Sequence, residues 1–266
     1  MKPYLFLHIP KTGGSSVEQC LPFGRCTFED VFKDSKNNSD FDIHAYSAAR
    51  YHYTIEQLKN VNLCDDKRLN QLYKFTFVRN PWDRVVSIFH DWRVQNCRKN
   101  SYKNILTGET YLKQEEFGDD IFSQFVSNVL TPVFDTRIKN YSPKINFNDG
   151  SEFLYTQGTY SQPVKKCPFY YTIANGHFVP QIKYTHNSSG DQIVDFVGKF
   201  ETLQEDFDKL NNICGWNFKF MILPHVNKSK RAQKNYRKYY DDGSGLAKHL
   251  VSELYREDIE TYGYTF

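Results

Sequence analysis

The sequence has no Cys-x-x-Cys pair, no apolar run near the roughly 18 residues of a membrane span, and almost no charge imbalance, with 34 Lys and Arg against 31 Asp and Glu. Each absence excludes something. Cys20, Cys26, Cys64, Cys97, Cys167 and Cys214 are scattered, which argues against a zinc site and a disulfide framework and fits free thiols in a reducing compartment. Without a long apolar segment no membrane span is expected, and the opening residues enter a strand-like run with no signal-peptide layout, so the chain reads as soluble and cytoplasmic. A net charge of +3 excludes a histone-like or polybasic nucleic-acid binder. Internal repeats and low-complexity tracts are absent as well.

What is present is a chain of 266 residues with 39% hydrophobic and 17% aromatic content, enough to bury a sizeable core. The expectation is one domain over residues 1–266, with an aromatic-rich insertion or lid at about 131–184, where helical periodicity fades. Tyr4 to Ile9 reads as a strand ending at Pro10, followed by a Gly pair and a helix over about Ser15 to Leu21. A second strand, Tyr73 to Val78, runs through Arg79 into a helix for which Asn80 is the N-cap and Pro81 the first residue. On that helix Trp82, Val85, Val86, Phe89 and Trp92 form an apolar stripe, while Arg84, Ser87 and Asp91 occupy a face left for a ligand.

A third strand is expected over Ile193 to Val197, ended by Gly198-Lys199 and followed by a helix with Thr202 and Glu205 at capping-box spacing. Leu203, Phe207, Leu210 and Cys214 share its inner side, and Gly215 ends it. A last helix runs from about Gly245 to Ile259. Strands alternating with helices predict an α/β fold with a central parallel sheet flanked by helices.

Between the first strand and its helix lies Pro10-Lys11-Thr12-Gly13-Gly14-Ser15-Ser16. Glycines let a backbone fold around an oxyanion, and the helix N-terminus adds partial positive charge. A bare Gly-Gly is more often a plain turn, but Lys11 before the pair and hydroxyls after it point to an anion cradle. A Walker A loop is excluded because its Lys follows the second glycine. Arg79 and Ser87, eight residues apart, could clamp a second anionic group. Alone, Arg79 would read as a surface ion pair.

His8 to Ser16 together with Phe77 to Phe89 resembles the PAPS-dependent sulfotransferases, and most of all the Golgi carbohydrate branch that includes the heparan sulfate 2-O- and chondroitin sulfotransferases. The likeness continues through Phe178-Val179-Pro180-Gln181, Val194 to Glu201, Leu223 to Ser229 and Tyr255 to Ile259. It implies a P-loop-like site in which Lys11, Thr12, Gly13, Gly14, Ser15 and Ser16 hold the 5′-phosphosulfate of 3′-phosphoadenosine 5′-phosphosulfate (PAPS). Lys11 would neutralise the leaving adenosine 3′,5′-bisphosphate (PAP), and Arg79 and Ser87 would bind the 3′-phosphate. A basic loop of Lys228, Ser229, Lys230 and Arg231 would reach the same phosphate. His44 matches the catalytic base, with His52 as fallback and Glu18 or Asp42 as carboxylate alternatives; His44, His52, Pro180 and Gln181 would line the acceptor side. No metal is implied.

The activity so implied is sulfuryl transfer from PAPS to a hydroxyl, on a carbohydrate first and on a small alcohol or phenol as the alternative. A Golgi lumen location would require that an N-terminal anchor had been removed. A Mg-dependent P-loop kinase and a non-catalytic binding module are the more remote readings.

Overall fold

The computed structural model describes residues 4–21, 52–60, 65–97, 122–131, 144–146, 152–154, 176–216, 222–226, 231 and 233–266. In chain order the elements are β1 (Tyr4–Phe6), α1 (Gly14–Cys20), α2 (Ile55–Asn60), α3 (Asp66–Leu69), β2 (Tyr73–Val78), α4 (Pro81–Cys97), α5 (Phe122–Phe125), β3 (Lys144–Asn146), β4 (Glu152–Leu154), α6 (Ile182–Thr185), β5 (Phe196–Lys199), α7 (Leu203–Cys214), α8 (Leu246–Leu254) and α9 (Arg256–Tyr262). They divide into two compact units, Met1–Arg79 with Asn175–Lys228 and Asn80–Ala174 with Ser229–Phe266.

The first unit is built on a parallel sheet in the order β1-β2-β5, with Tyr4 opposite Tyr73 and Val78 opposite Lys199. Side chains alternate across a strand, and here both faces are apolar. Tyr4, Phe6, Phe75 and Phe77 pack with Val17 and Cys20 of α1 and with Phe207, Leu210 and Cys214 of α7. Leu5 and Leu7 face the other way, onto Ile55, Leu58, Leu69 and Leu72. Helices on both faces are what a parallel sheet needs to shed water, so the α/β expectation is met in this unit.

Two local expectations are corrected. The third strand starts at Phe196 instead of Ile193 and runs through Gly198 to Lys199. Its upstream residues are committed elsewhere: Ile193 N–H donates to Thr185 O at 2.7 Å, and Gln192 bridges to His186. Asp195 then opens the pairing with β2, its N–H donating to Lys74 O at 2.7 Å while its carboxylate accepts from Lys74 N–H at 2.6 Å. Gly198 stays inside the strand because a Cβ there would collide with the Phe77 ring. The Thr202–Glu205 capping box is not formed either; the buried carboxylate of Asp206 takes Lys199 N–H and the Thr202 hydroxyl, each at 2.8 Å. Burial pushes that carboxyl up, but these bonds and Lys209 outweigh it and hold Asp206 below its ordinary range.

In the second unit Asn80 caps α4, its side-chain oxygen accepting from the N–H groups of Trp82 at 3.1 Å and Asp83 at 3.3 Å, as the sequence predicts. The face left for a ligand is covered. Arg84 and Ser87 are buried along with Trp82, Val85, Val86 and Phe89, because α5, α8 and a 3-10 turn over Tyr236–Tyr240 all pack on α4. Aromatic rings fill the contacts, with Phe89 at 5.3 Å from Phe122 and 5.4 Å from Phe125. The last helix is two: Tyr255 leaves helical geometry at φ −117°, ψ 27° and separates α8 from α9. Tyr255 is itself buried, so the apolar face runs on through the break and periodicity could not reveal it. Within 131–184 the described elements include the antiparallel pair β3–β4, which sets Lys144 opposite Leu154.

Candidate active site

Parallel pairing of β1 with β2 and of β2 with β5 brings three loops to one edge, the carboxyl end of the sheet, where open α/β folds bind ligands. After β1 comes Pro10 to Gly13, after β2 comes Arg79, and after β5 comes Phe200. The Arg79 guanidinium donates from Nη1 to Lys11 O at 3.0 Å and lies over the Phe200 ring at 4.0 Å from its centre. Stacking on an aromatic face and a carbonyl bond fix the planar cation in one orientation.

The first loop is strained. Lys11 has φ 68°, the one positive value for a non-glycine among the described residues, a conformation that costs roughly 1–2 kcal/mol for a side-chain-bearing residue. Gly13 follows at φ 87°, and a Cβ there would come within 2.8 Å of Leu203 Cδ2. At Gly14 a Cβ would strike the His8 ring, so the glycine pair is also set by packing from below. The buried Thr12 hydroxyl donates to Ile9 O at 2.9 Å and is already engaged. Ser16 Oγ accepts Val226 N–H at 3.3 Å, which leaves its proton to be donated.

Beside the loop three imidazoles gather. His8 Nδ1–H donates to the buried Glu18 carboxylate at 2.7 Å. His52 Nδ1 lies 3.1 Å from His8 O; a carbonyl only accepts, so Nδ1 carries the proton and the lone pair of neutral His52 is on Nε2. The His52 ring is 4.9 Å from His8 and 5.4 Å from the buried His177. Burial first, then the neighbouring His8 and His177 and the charge of Lys11, hold the His52 pKa well below its ordinary value. His52 is therefore neutral near pH 7.

A family model described as the sulfotransferase family matches residues 2–265, essentially the full length and both units. The chain belongs to the sulfotransferase family. It is a PAPS-dependent O-sulfotransferase, an enzyme of sulfuryl transfer to hydroxyl acceptors, and the Golgi carbohydrate subtype fits this family. No curated protein and no solved structure matches it at a significant level.

Of the residues the sulfotransferase sequence singles out, Lys11, Thr12, Gly13, Gly14, Ser15, Ser16 and Arg79 come together at the sheet edge of the first unit, with His52 alongside. Pro180 and Gln181 also belong to this unit, where Gln181 is fully buried with both ends of its amide on the Arg79 main chain. Ser87 is buried on α4 of the second unit, and in the same unit Arg231 forms a half-buried ion pair with Asp83 at 2.5 Å. His44, Asp42, Lys228, Ser229 and Lys230 lie outside the described residues. Among the described residues no group could hold a metal and no helix is long and apolar enough to cross a membrane.

Phe200, His8 and His177 are features that sequence reasoning gave no role, and Glu18, a carboxylate alternative for the base, is buried against His8. Their partners are 10 to 125 positions away in the chain, and contact at that separation leaves no periodic signal.

Proposed function

We propose that this sulfotransferase takes the sulfuryl group from PAPS and transfers it in line to a carbohydrate hydroxyl, releasing PAP without a metal ion. The observation that carries the reading is Lys11, a cation held in the left-handed conformation by a loop whose carbonyl is fixed by Arg79. Strain of this kind persists where function demands it. Bound there, PAPS supplies an activated sulfuryl group on a phosphate leaving group. Lys11 offsets the charge that develops on the leaving oxygen, which is worth on the order of 10²–10³ in rate for a prepositioned donor. Gly13, Gly14, Ser15 and the Ser16 hydroxyl surround the same position, and Arg79 holds the 3′-phosphate.

An acceptor hydroxyl must lose its proton, and a neutral imidazole suits that task. His52 has physical support as that base through its place beside the loop and the Nε2 lone pair of its imidazole; His44 stands as the base on the resemblance alone. For Ser87 and for Lys228, Ser229, Lys230 and Arg231 the proposal also rests on the resemblance alone. The match through both units supports one catalytic domain over residues 1–266; an insertion or lid at 131–184 rests on the sequence pattern alone.

A thermal-shift titration tests the donor assignment. A ligand at about 100 times its dissociation constant adds roughly 2.7 kcal/mol, a rise of several degrees for a chain of this size. Stabilisation by PAP in EDTA, with no effect of 5′-ADP, is the expected result. Stabilisation by ATP–Mg alone would replace the reading with a kinase, and no response to either would leave a binding module. Turnover on a desulfated glycosaminoglycan against a simple phenol then decides the acceptor class.

A further inference from the structure

Arg79 sits where the sheet stops. Val78 is the last β2 residue paired with β5, so the Arg79 N–H and C=O lie past the ladder while the residue is only 7% exposed. Buried main-chain groups need partners, and here both come from one side chain. The Gln181 amide oxygen accepts Arg79 N–H at 2.8 Å, and the Gln181 amide nitrogen donates to Arg79 O at 2.9 Å. At neutral pH, where carboxyl groups are ordinarily ionised, a primary amide is the side-chain group that offers a donor and an acceptor in one plane at that spacing. Gln181 is itself wholly buried, 102 residues away in the chain, and it starts the short helix α6.

Since both polar atoms of the amide bond the Arg79 main chain, we infer that Gln181 is a positioning residue for the donor site: it clasps the Arg79 main chain and so aims the guanidinium at the donor and, through Lys11 O, steadies the Lys11 turn. This inference rests on the reading of Arg79 as a donor-binding cation. Gln181 fixes where the arginine side chain starts, Phe200 fixes the plane of its guanidinium, and the bond to Lys11 O ties the result to the strained loop. The segment beginning at His177 therefore shapes the donor side of the site through a residue whose amide is turned to the Arg79 main chain.

The test is the substitution Gln181→Glu in the full chain, read as PAP affinity by calorimetry between pH 6 and 8.5, always as a ratio to wild type. A carboxylate keeps the acceptor for Arg79 N–H but sets a negative charge against Arg79 O; a protonated carboxyl restores the donor. Buried there, the acid titrates above its ordinary value. At pH 8.5 the variant should bind PAP about tenfold more weakly, the effect of one lost buried hydrogen bond, and the ratio should shrink towards one as pH falls to 6. Gln181→Leu, which cannot titrate, should lose as much with no recovery, and both should raise KM for PAPS more than they lower kcat.

Wild-type affinity in Gln181→Glu at every pH, or a loss that acid does not reverse in a variant with a native near-UV spectrum, would overturn the inference. Should the variant not fold at pH 8.5, hydrogen exchange at the Arg79 amide of the wild type decides: slow exchange that PAP slows further supports the clasp, and exchange at the free-chain rate overturns it. A wild type that does not bind PAP at all removes the donor reading, whereas a wild type that binds PAP while Gln181→Glu follows it at every pH removes the positioning role alone.

Discussion

The two units of this sulfotransferase solve different problems with different residues. In the first, polar groups converge on one sheet edge: Gln181 on Arg79, Arg79 on Lys11, Thr12 on Ile9 O, His8 on Glu18 and His52 on His8 O. In the second, α4 is wrapped by rings. Phe89, Phe122, Phe125, Tyr239 and Tyr240 are all buried, Tyr240 donates its hydroxyl to Trp82 O at 2.8 Å, and burial, with Asp83 behind it, pushes that hydroxyl well above its ordinary pKa. Polar networks fix directions, and apolar packing supplies free energy. Substitutions among the polar residues at the first unit's sheet edge should therefore alter turnover in a folded protein, and those among the rings around α4 should alter folding and leave the surviving molecules active.

The largest effect on this view belongs to His52. If its Nε2 takes the acceptor proton, His52→Gln should lower kcat/KM by roughly 10²–10⁴ with little change in PAP affinity. The pH profile is sharper still. Because the folded pKa lies well below the usual 6.5, His52 stays neutral as pH falls through 6.5, and the acid limb of wild-type kcat/KM should appear clearly below that value. A limb at 6.5 or above, or full activity in His52→Gln, would hand the role to His44. Stability carries the same sign: below pH 6.5 the unfolded chain binds a proton that folded His52 refuses, so this group favours unfolding progressively as pH drops from 6.5 towards its folded pKa.

Next comes Phe89→Ala. The side chain is fully buried and meets the rings of Phe122, Phe125 and Tyr239, so its removal should cost about 3–5 kcal/mol, seen as a lower midpoint in urea. Specific activity per folded molecule should match wild type. A loss of activity without a loss of stability would break the division of labour between the units.

The division also explains what could be read in advance. Period-two and helical patterns placed β1, β2, α1, α4 and α7, because each buries an apolar face that its own sequence spells out. Asn80 and Pro81 marked the start of α4 for the same local reason. The third strand starts three residues later than expected because Ile193 is bonded to Thr185 instead of β2, a pairing that period-two patterning does not mark. Lys11 and Arg79 were legible as a cation pair at strand ends, but the carbonyl bond and the Phe200 ring that orient Arg79 were not. Nor was the buried state of Ser87, which follows from α8 and the 3-10 turn more than 140 positions later.

The smallest effect is the most local. Asn80 adjoins Arg79, yet its side chain serves the second unit: Oδ1 caps α4, and Nδ2 donates to Thr265 O at 3.1 Å and towards the Tyr236 hydroxyl at 3.3 Å. Asn80→Ala should cost about 1 kcal/mol for the cap, a midpoint lowered by roughly 2–4 °C, with kinetics unchanged. Asn80→Asp separates the two halves of the side chain, since it keeps the capping acceptor and gives up the amide donors. A midpoint near wild type for Asn80→Asp assigns the stability to the cap; a midpoint as low as that of Asn80→Ala assigns it to the Thr265 and Tyr236 contacts. Altered KM for PAPS in either variant would mean that the Arg79–Asn80 bond does not divide kinetic from structural residues, and the contrast between the units would have to be drawn elsewhere.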